Sequence, residues 1–471
     1  MPELSPGRKH LILLTTSLAA FSTPFLSSAV AFAVPRIGVS FHLTFFQAAL
    51  IPLVLLIPLA SFMIFFGRIS DDRGRVSVFR YGLVLFSLAA MLVPFSTSYY
   101  ALVALLFILG IGAAILSTNS TAIVSYVYSS GGRGLALGIN AMAVYLGLTF
   151  APFLGGFLIE FFGWRSIFYF AAPVGALAFL ISLGSMRNIE IRKHGYRMNL
   201  KGTLTFAAFI LSLTLYLALG NILGYLNISF LIVLSLVFLF LFMKDEKSSG
   251  DPILPLKLFR KNRTFIASNV TAFLNYVSTF SIVFVFSIYL QVILGVSPFL
   301  SGILLLPEPV MMVALSPVAG KLSDLVGSRI IASIGMLVIG ISFLSLYYFH
   351  PSNKIDLMVL LGVLGVGFGL FSAPNTNSVM GSVDRETSGI ASGFLGTMRF
   401  TGQLLSIFLA TFILSIFMPK SLIVGMFSGI VIEITPQYFN GFTYGFRIVM
   451  LLSGVLSLAG SLTSVLRNAG D

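Results

Sequence analysis

Residues 67–75 read Gly-Arg-Ile-Ser-Asp-Asp-Arg-Gly-Arg, and residues 320–329 read Gly-Lys-Leu-Ser-Asp-Leu-Val-Gly-Ser-Arg. Both stretches keep a glycine, an aspartate four positions later, a second glycine seven positions later and a closing arginine. Each sits between two long apolar stretches. A charged turn repeated between apolar spans points to a chain built from two related helical halves, the plan common to secondary transporters.

The surrounding composition fits that plan. The chain is 57% hydrophobic and 9% charged, with a mean hydropathy of +1.02. A soluble globular domain is nowhere near so apolar. A membrane span needs about 20 apolar residues, and windows of that length recur from end to end. The net charge of +13 lies beside these spans, so it reads as membrane topology, and no nucleic-acid partner is expected. The absence of cysteine excludes disulfides and thiolate metal sites. The four histidines have no paired spacing, no phosphate-binding Walker loop occurs, and no nucleophile constellation is present. The expectation is a non-enzyme without metal or cofactor. The first apolar run is long enough to be a span and lacks a convincing cleavage site, so no cleavable signal is expected.

Fourteen spans are expected, at roughly 11–34, 46–66, 77–97, 99–122, 134–158, 165–185, 202–221, 226–243, 265–293, 298–319, 330–349, 356–379, 388–417 and 441–466. Alternate loops are strongly basic, and the intervening ones hold only Arg36, Arg165, Lys354 and Lys420. That skew places both termini in the cytoplasm of a multi-pass plasma-membrane protein. The two signature loops lie farther apart than six spans require, and the excess falls in the middle. The expected organisation is a six-helix bundle over 1–185, an inserted two-helix hairpin with flanking loops over 186–264, and a second six-helix bundle over 265–471.

In the signature, Gly67 and Gly74 permit a tight turn and close helix approach. Asp71 suits a helix start, where unpaired amides and the helix dipole favour a carboxylate. Arg73, Arg75 and Arg80 can meet acidic groups or lipid phosphates. This loop resembles the best-known motif of the major facilitator superfamily, and its echo in the second half is expected there. The resemblance implies a cytoplasmic latch that engages and releases as the transporter changes state. It is carried here by Gly67, Asp71, Arg73, Gly74 and Arg75, and by Gly320, Asp324, Gly327 and Arg329. Asp72 stands where the family usually has a basic residue.

In the fifth span, Gly147, Ala151 and Gly155 fall at i, i+4 and i+8, a smooth stripe for close helix packing, and Pro152 permits a bend. With Gly156, this stretch resembles the motif associated with the superfamily's antiporters, Ala151 replacing a glycine. Tyr289-Leu-Gln291, Leu306-Pro307, Pro374-Asn375, Ser388-Gly389-x-Ala-Ser-Gly393, Arg399 and Gly402-Gln403 are similar to the second half of the fourteen-helix drug:proton antiporters. Such proteins often carry an acid in the first span and an arginine in the fourth; here those places hold Leu26 and Leu106.

Ionisable residues inside spans are costly and are functional candidates by default. Three lie well inside: Glu308, Arg399 and Arg447. Glu308 is flanked by Pro307 and Pro309, which deprive the carbonyls of Ile303 and Leu305 of their usual partners. A carboxylate beside freed carbonyls suits a proton or another coupling cation; alternatively Glu308 forms a structural ion pair with Arg399 or Arg447. Asn140, Tyr145, Asn275, Gln291, Asn375 and Gln403 are candidates to line a cargo cavity, although such polar residues also tie helices together.

The leading expectation is a secondary active transporter exporting drugs or other small amphiphilic organic compounds through the lipid bilayer by alternating access, driven by protons. A facilitator or uptake symporter for a small metabolite is the alternative, and a membrane sensor or scaffold the remoter one.

Overall fold

The structure, a computed structural model, describes the chain apart from residues 1–4, 44, 130, 188, 190–198, 250–261, 283–284, 287–288, 291–293, 297, 349–353, 385–386, 419–435 and 468–471. The described secondary structure is helical. The first half comprises α1 (Pro6–Phe41), α2 (Phe45–Arg73), α3 (Arg75–Leu92), α4 (Tyr99–Val127), α5 (Arg133–Phe150), a π-turn (Ala151–Gly155), α6 (Gly156–Phe162) and α7 (Ser166–Ser185). Two helices follow, α8 (Leu200–Leu223) and α9 (Ser229–Ser248). The second half comprises α10 (Arg263–Thr279), α11 (Pro298–Leu305), α12 (Pro307–Val326), α13 (Ser328–Tyr348), α14 (Lys354–Gly381), α15 (Ser388–Phe417) and α16 (Pro436–Val465).

Apolar runs make these helices, and small polar signals end them. Ser98 accepts a hydrogen bond from the Ala101 amide to start α4, and Asn262 does the same for Phe265 at the start of α10. Gly74 and Gly327, one in each signature loop, have φ of 103° and 98°. That backbone region strains residues with a Cβ, so each glycine makes the sharp reversal from α2 into α3 and from α12 into α13. Pro152 falls in the π-turn, which re-registers the helix between α5 and α6.

Each half has its own apolar core. One cluster is built from Phe25, Leu55, Phe79, Phe86, Leu109 and Phe168. The other contains Phe286, Met336, Phe343, Leu361, Phe371 and Phe446. A third, smaller cluster joins Ala60 and Ile64 of α2, Phe206 and Ile210 of α8, Phe242 of α9, and Ile390 and Leu404 of α15. The α8–α9 pair therefore packs on one seam between the halves.

Twelve of the described helices are long and apolar enough to cross a membrane, so the expected fourteen are not reached. Two physical features account for the difference. The apolar run of α9 closes on Lys244, Asp245, Glu246 and Lys247, and α10 is described for only 17 residues. Much of the loops expected to flank the inserted hairpin, residues 190–198 and 250–261, lies outside the described residues.

Candidate functional site

The two signature loops come together with the start of a helix from the opposite half. Asp71 is buried at the end of α2 and accepts hydrogen bonds from the Gly389 amide at 3.1 Å and the Ile390 amide at 2.9 Å, in the first turn of α15. Those amides have no partner within their own helix, and the helix dipole adds to their attraction for a carboxylate. Arg75, fully buried, closes the arrangement through an ion pair with Asp71 at 2.7 Å. The expectation that Asp71 serves a helix start is met, but by a helix of the other half instead of its own neighbour.

The second copy mirrors the first. Asp324 accepts from the Gly134 amide at 2.8 Å and the Leu135 amide at 3.2 Å, in the first turn of α5. Its cation partner differs. No hydrogen bond or ion pair of the Arg329 guanidinium occurs among the described residues, whereas Asn377 donates to Asp324 at 3.3 Å and accepts from Arg133 of the first half at 2.7 Å. Asp324 is also exposed where Asp71 is buried. Arg73 is exposed too, and Arg80 donates to the Ser182 carbonyl of α7 at 2.7 Å.

Glycines hold the halves close at this end. A Cβ on Gly67 would strike the Gly389 carbonyl, and one on Gly320 would strike the Gly134 carbonyl. One turn away, a Cβ on Gly393 would meet the Met63 carbonyl, and one on Gly138 the Ser316 carbonyl. Residues 133–138, Arg-Gly-Leu-Ala-Leu-Gly, and 388–393, Ser-Gly-Ile-Ala-Ser-Gly, are thus a second internal repeat that receives the first. Sequence reasoning overlooked that pairing, although the shared Gly-x-Ala-x-Gly was there to be found.

Deeper in, five helices converge on Tyr145 of α5. The phenol lies within electrostatic reach of Tyr276 of α10, Arg399 of α15 and Glu308 of α12. Its hydroxyl approaches Ser372 of α14 without meeting full hydrogen-bond geometry. Leu304 and Met312, one turn to either side of Glu308, pack in the same cluster as Tyr145. The Arg399 guanidinium lies over the Tyr276 ring, 5.2 Å from its centroid. Gly402, one turn beyond Arg399, permits this stack, because a Cβ there would lie 3.0 Å from the Tyr276 Cβ. Glu308 is buried in the first turn of α12, where α11 runs on into α12 through Leu306, whose backbone stays helical at φ −60° and ψ −33°. Its carboxylate oxygen Oε2, the Tyr145 hydroxyl and Arg399 Nε are buried without hydrogen-bond partners among the described residues.

These observations refine the reading of the intramembrane charges. Neither Arg399 nor Arg447 forms an ion pair with Glu308 among the described residues. The Ile303 carbonyl, expected to be free, accepts from the Leu306 amide at 3.2 Å. The turn before Pro307 tightens to an i→i−3 bond and so satisfies that carbonyl within the helix.

Two internal structural repeats, joined in reciprocal register around a buried polar centre, are what the sequence comparisons then explain. Residues 16–407 match the sequence profile of the Major Facilitator Superfamily. The chain belongs to the major facilitator superfamily. It is 27% identical over 417 residues to the riboflavin transporter RibZ of Clostridioides difficile (strain 630), covering 88% of this chain and 89% of that protein. It is 25% identical over 417 residues to the multidrug transporter protein MdtP of Bacillus subtilis (strain 168), covering 85% and 74%. The multidrug resistance protein Stp of Mycobacterium tuberculosis (strain ATCC 25618 / H37Rv) is 29% identical over 350 residues, covering 73% of this chain and 64% of that protein. Among solved structures, the major facilitator proton:xylose symporter XylE bound to 6-bromo-6-deoxy-D-glucose superposes with a TM-score of 0.67 at 14% identity, over 98% of this chain and 95% of that one. That likeness concerns the fold.

Within this superfamily member, the remaining sequence candidates scatter. Gly147 packs on the Phe21 carbonyl and Pro24 of α1, and Gly155 on Ala29 of the same helix. The expected stripe of Gly147, Ala151 and Gly155 thus lies inside the first half, while Gly156 has nothing within 4 Å of an added Cβ. Asn140 donates to Ser120 at 3.1 Å, Asn275 to the Met336 sulfur at 3.3 Å, and Asn375 accepts from Arg467. These three asparagines tie helices within one half. Gln403 is half-buried, and Gln291 lies outside the described residues. Tyr145 lies within electrostatic reach of both Glu308 and Arg399, and Gln403 is one turn from Arg399 on α15.

The asymmetry of the latch gives a prediction. Asp71→Asn deprives buried Arg75 of its carboxylate, a change worth about 3–5 kcal/mol at buried pairs. Asp324→Asn removes an exposed carboxylate from a helix start, worth roughly 0.3–1 kcal/mol. Purified Asp71→Asn protein is therefore expected to lose most of its latch-engaged population and its transport, and Asp324→Asn only part. Inter-half distances by paired spin labels, measured beside transport rates, check the order of the two effects.

Proposed function

We propose that this protein is a proton-coupled exporter of drugs or other small amphiphilic organic compounds, working by alternating access. The observation that carries the reading is Glu308: a buried carboxyl group flanked by two prolines, without an ion-pair partner among the described residues, where helices of both halves meet around Tyr145 beyond an engaged latch. A group so placed gains or loses a proton according to which side of the membrane it can reach. Two of the relatives described above are named for multidrug resistance or transport, which favours export over uptake. With Leu26 and Leu106 in place of the charges common in similar antiporters, Glu308 is the group to which we assign coupling, and Arg399 and Arg447 are secondary candidates.

In this reading α9 and the stretch opened by α10 join the twelve candidate spans to make fourteen, with α8 and α9 inserted between the six-helix bundles. Residues 229–243 carry no charge, and Phe230, Val233, Leu236, Val237 and Phe240 are exposed in the manner of a lipid-facing helix. The basic loops put both termini and the latch in the cytoplasm of a plasma-membrane protein. The reciprocal Asp71 and Asp324 contacts then close the cytoplasmic side. The Gly147, Ala151 and Gly155 stripe serves the antiporter by letting α5 and the π-turn ride closely on α1, with Pro152 in that turn, whereas Gly156 packs on nothing.

The test is transport in vesicles reconstituted with purified protein under an imposed pH gradient. Accumulation of an amphiphilic dye that collapses when the gradient is discharged is the expected result. Equilibration without accumulation would leave a facilitator, accumulation in the sense of the proton flow an uptake symporter, and no flux at all a sensor or scaffold.

A further inference from the structure

The geometry points to the chemical class of the cargo: flat-ringed organic compounds that carry an acidic oxygen group, held as the anion or zwitterion by Arg399. The inference rests on the transporter reading and deepens it.

The deep charges of the protein are unequal. Glu308 is buried, Arg399 and Arg447 are half-buried inside their helices, and no ion pair joins the three among the described residues. A guanidinium left without a counter-charge away from water is costly, and a bound anion relieves that cost. Arg399 Nε is buried and lacks a hydrogen-bond partner. The guanidinium is nevertheless held in place, lying over the Tyr276 ring at 5.2 Å. A planar cation held over an aromatic ring is a preorganised fork for a carboxylate, and Tyr276 is only half-buried, which leaves part of its ring for a flat cargo to pack on.

The other unsatisfied groups surround the same point. Tyr145 is within electrostatic reach of Arg399, Tyr276 and Glu308 together. Its hydroxyl and Glu308 Oε2 are both buried without partners. Tyr145 and Glu308 are 5% and 6% exposed, so solvent meets little of either side chain. Buried polar atoms in native proteins nearly always find a partner, and three of them converging from different helices describe a ligand with complementary groups. A carboxylate or similar oxygen anion would accept from Arg399 and from the Tyr145 hydroxyl. A donor elsewhere on the same molecule would meet Glu308 while that group is ionised, which accounts for zwitterions within the class. Tyr145 belongs to the first half and the other groups to the second, so cargo held by both would sense their relative movement.

Binding to purified protein in detergent tests this without a gradient, so its outcome is independent of whether transport is proton-driven. Rhodamine 110 carries a free carboxylate on a xanthene scaffold, and rhodamine 123 is its methyl ester, a cation of nearly the same size. Fluorescence anisotropy is expected to show rhodamine 110 binding the wild-type protein at least about tenfold more tightly, the scale of a hydrogen bond to a charged group. Arg399→Gln should reduce that preference to within about twofold, mainly by weakening rhodamine 110. Arg399→Lys keeps the charge and supports folding but lacks the planar fork, so it should retain part of the preference. Equal or tighter binding of the ester to wild type would overturn the proposal. So would an undiminished preference in folded Arg399→Gln or Arg399→Lys protein, or failure of rhodamine 110 to bind at all.

Discussion

Glu308→Gln is expected to abolish gradient-driven accumulation while leaving cargo binding and passive exchange in place. Glutamine keeps the shape of a protonated carboxyl and removes its titration, so a transporter that couples through Glu308 becomes an exchanger. The sequence left a second outcome open, in which Glu308 neutralises a buried arginine and its replacement unfolds the protein. The structure decides between them. Glu308 forms no ion pair among the described residues, and its Oε2 makes no hydrogen bond there. Removing the charge therefore strands no cation, and the thermal midpoint should change by little, within the about 0.5–3 kcal/mol typical of point substitutions. Counterflow in vesicles without a gradient, beside accumulation with one, separates the two activities. Wild-type accumulation with an unaltered pH dependence in Glu308→Gln protein would remove Glu308 from coupling.

Gly67→Leu and Gly320→Leu are expected to empty the latch-engaged state. An added side chain at either position meets a backbone carbonyl of the opposite half, that of Gly389 or Gly134. A flexible side chain could move aside, but a carbonyl on a helix moves only with the helix. Overpacking costs about 1–3 kcal/mol where neighbours can yield, and more is expected here because they cannot. Each 1.4 kcal/mol is about tenfold in population, so two turns of close approach convert a single substitution into near-complete loss of one state. The protein contains no cysteine, which makes paired labelling direct. Labels at exposed Tyr81 and Ile330, on α3 and α13 near the latch end, should report longer distances in both variants. Gly156→Leu, where an added Cβ meets nothing within 4 Å, should keep the wild-type distances. An unchanged distance in Gly67→Leu protein that still transports would show that the contact is tolerant packing.

The two halves and the charged turns between their spans were legible in the sequence because both are local properties. Membrane helices announce themselves through apolar windows, and Gly74 and Gly327 mark reversals that only a residue without Cβ makes easily. Span counting was less secure. The apolar run of α9 ends in a cluster of charge, and composition alone does not say whether such a helix crosses a bilayer or lies against the bundle. The latch was half legible. The repeated aspartates showed where charge collects, and the dipole argument called for a helix start, but the helix that answers comes from residues hundreds of positions away.

Composition and spacing by themselves determined that this chain is a helical membrane protein of two repeated halves, with Glu308, Arg399 and Arg447 as its deep charges. Only the tertiary structure decided which groups meet. It paired Asp71 with α15 and Asp324 with α5, and gave Arg133 and Asn377 the place expected for Arg329. It chose α1 as the helix that meets the Gly147 stripe and brought Tyr276, Glu308 and Arg399 around Tyr145. The physical reason is that hydropathy and turn chemistry act over a few residues. Partner choice depends instead on which helix faces are brought into register, and here that register is set by glycines at 67, 134, 320 and 389 meeting backbone across the two halves.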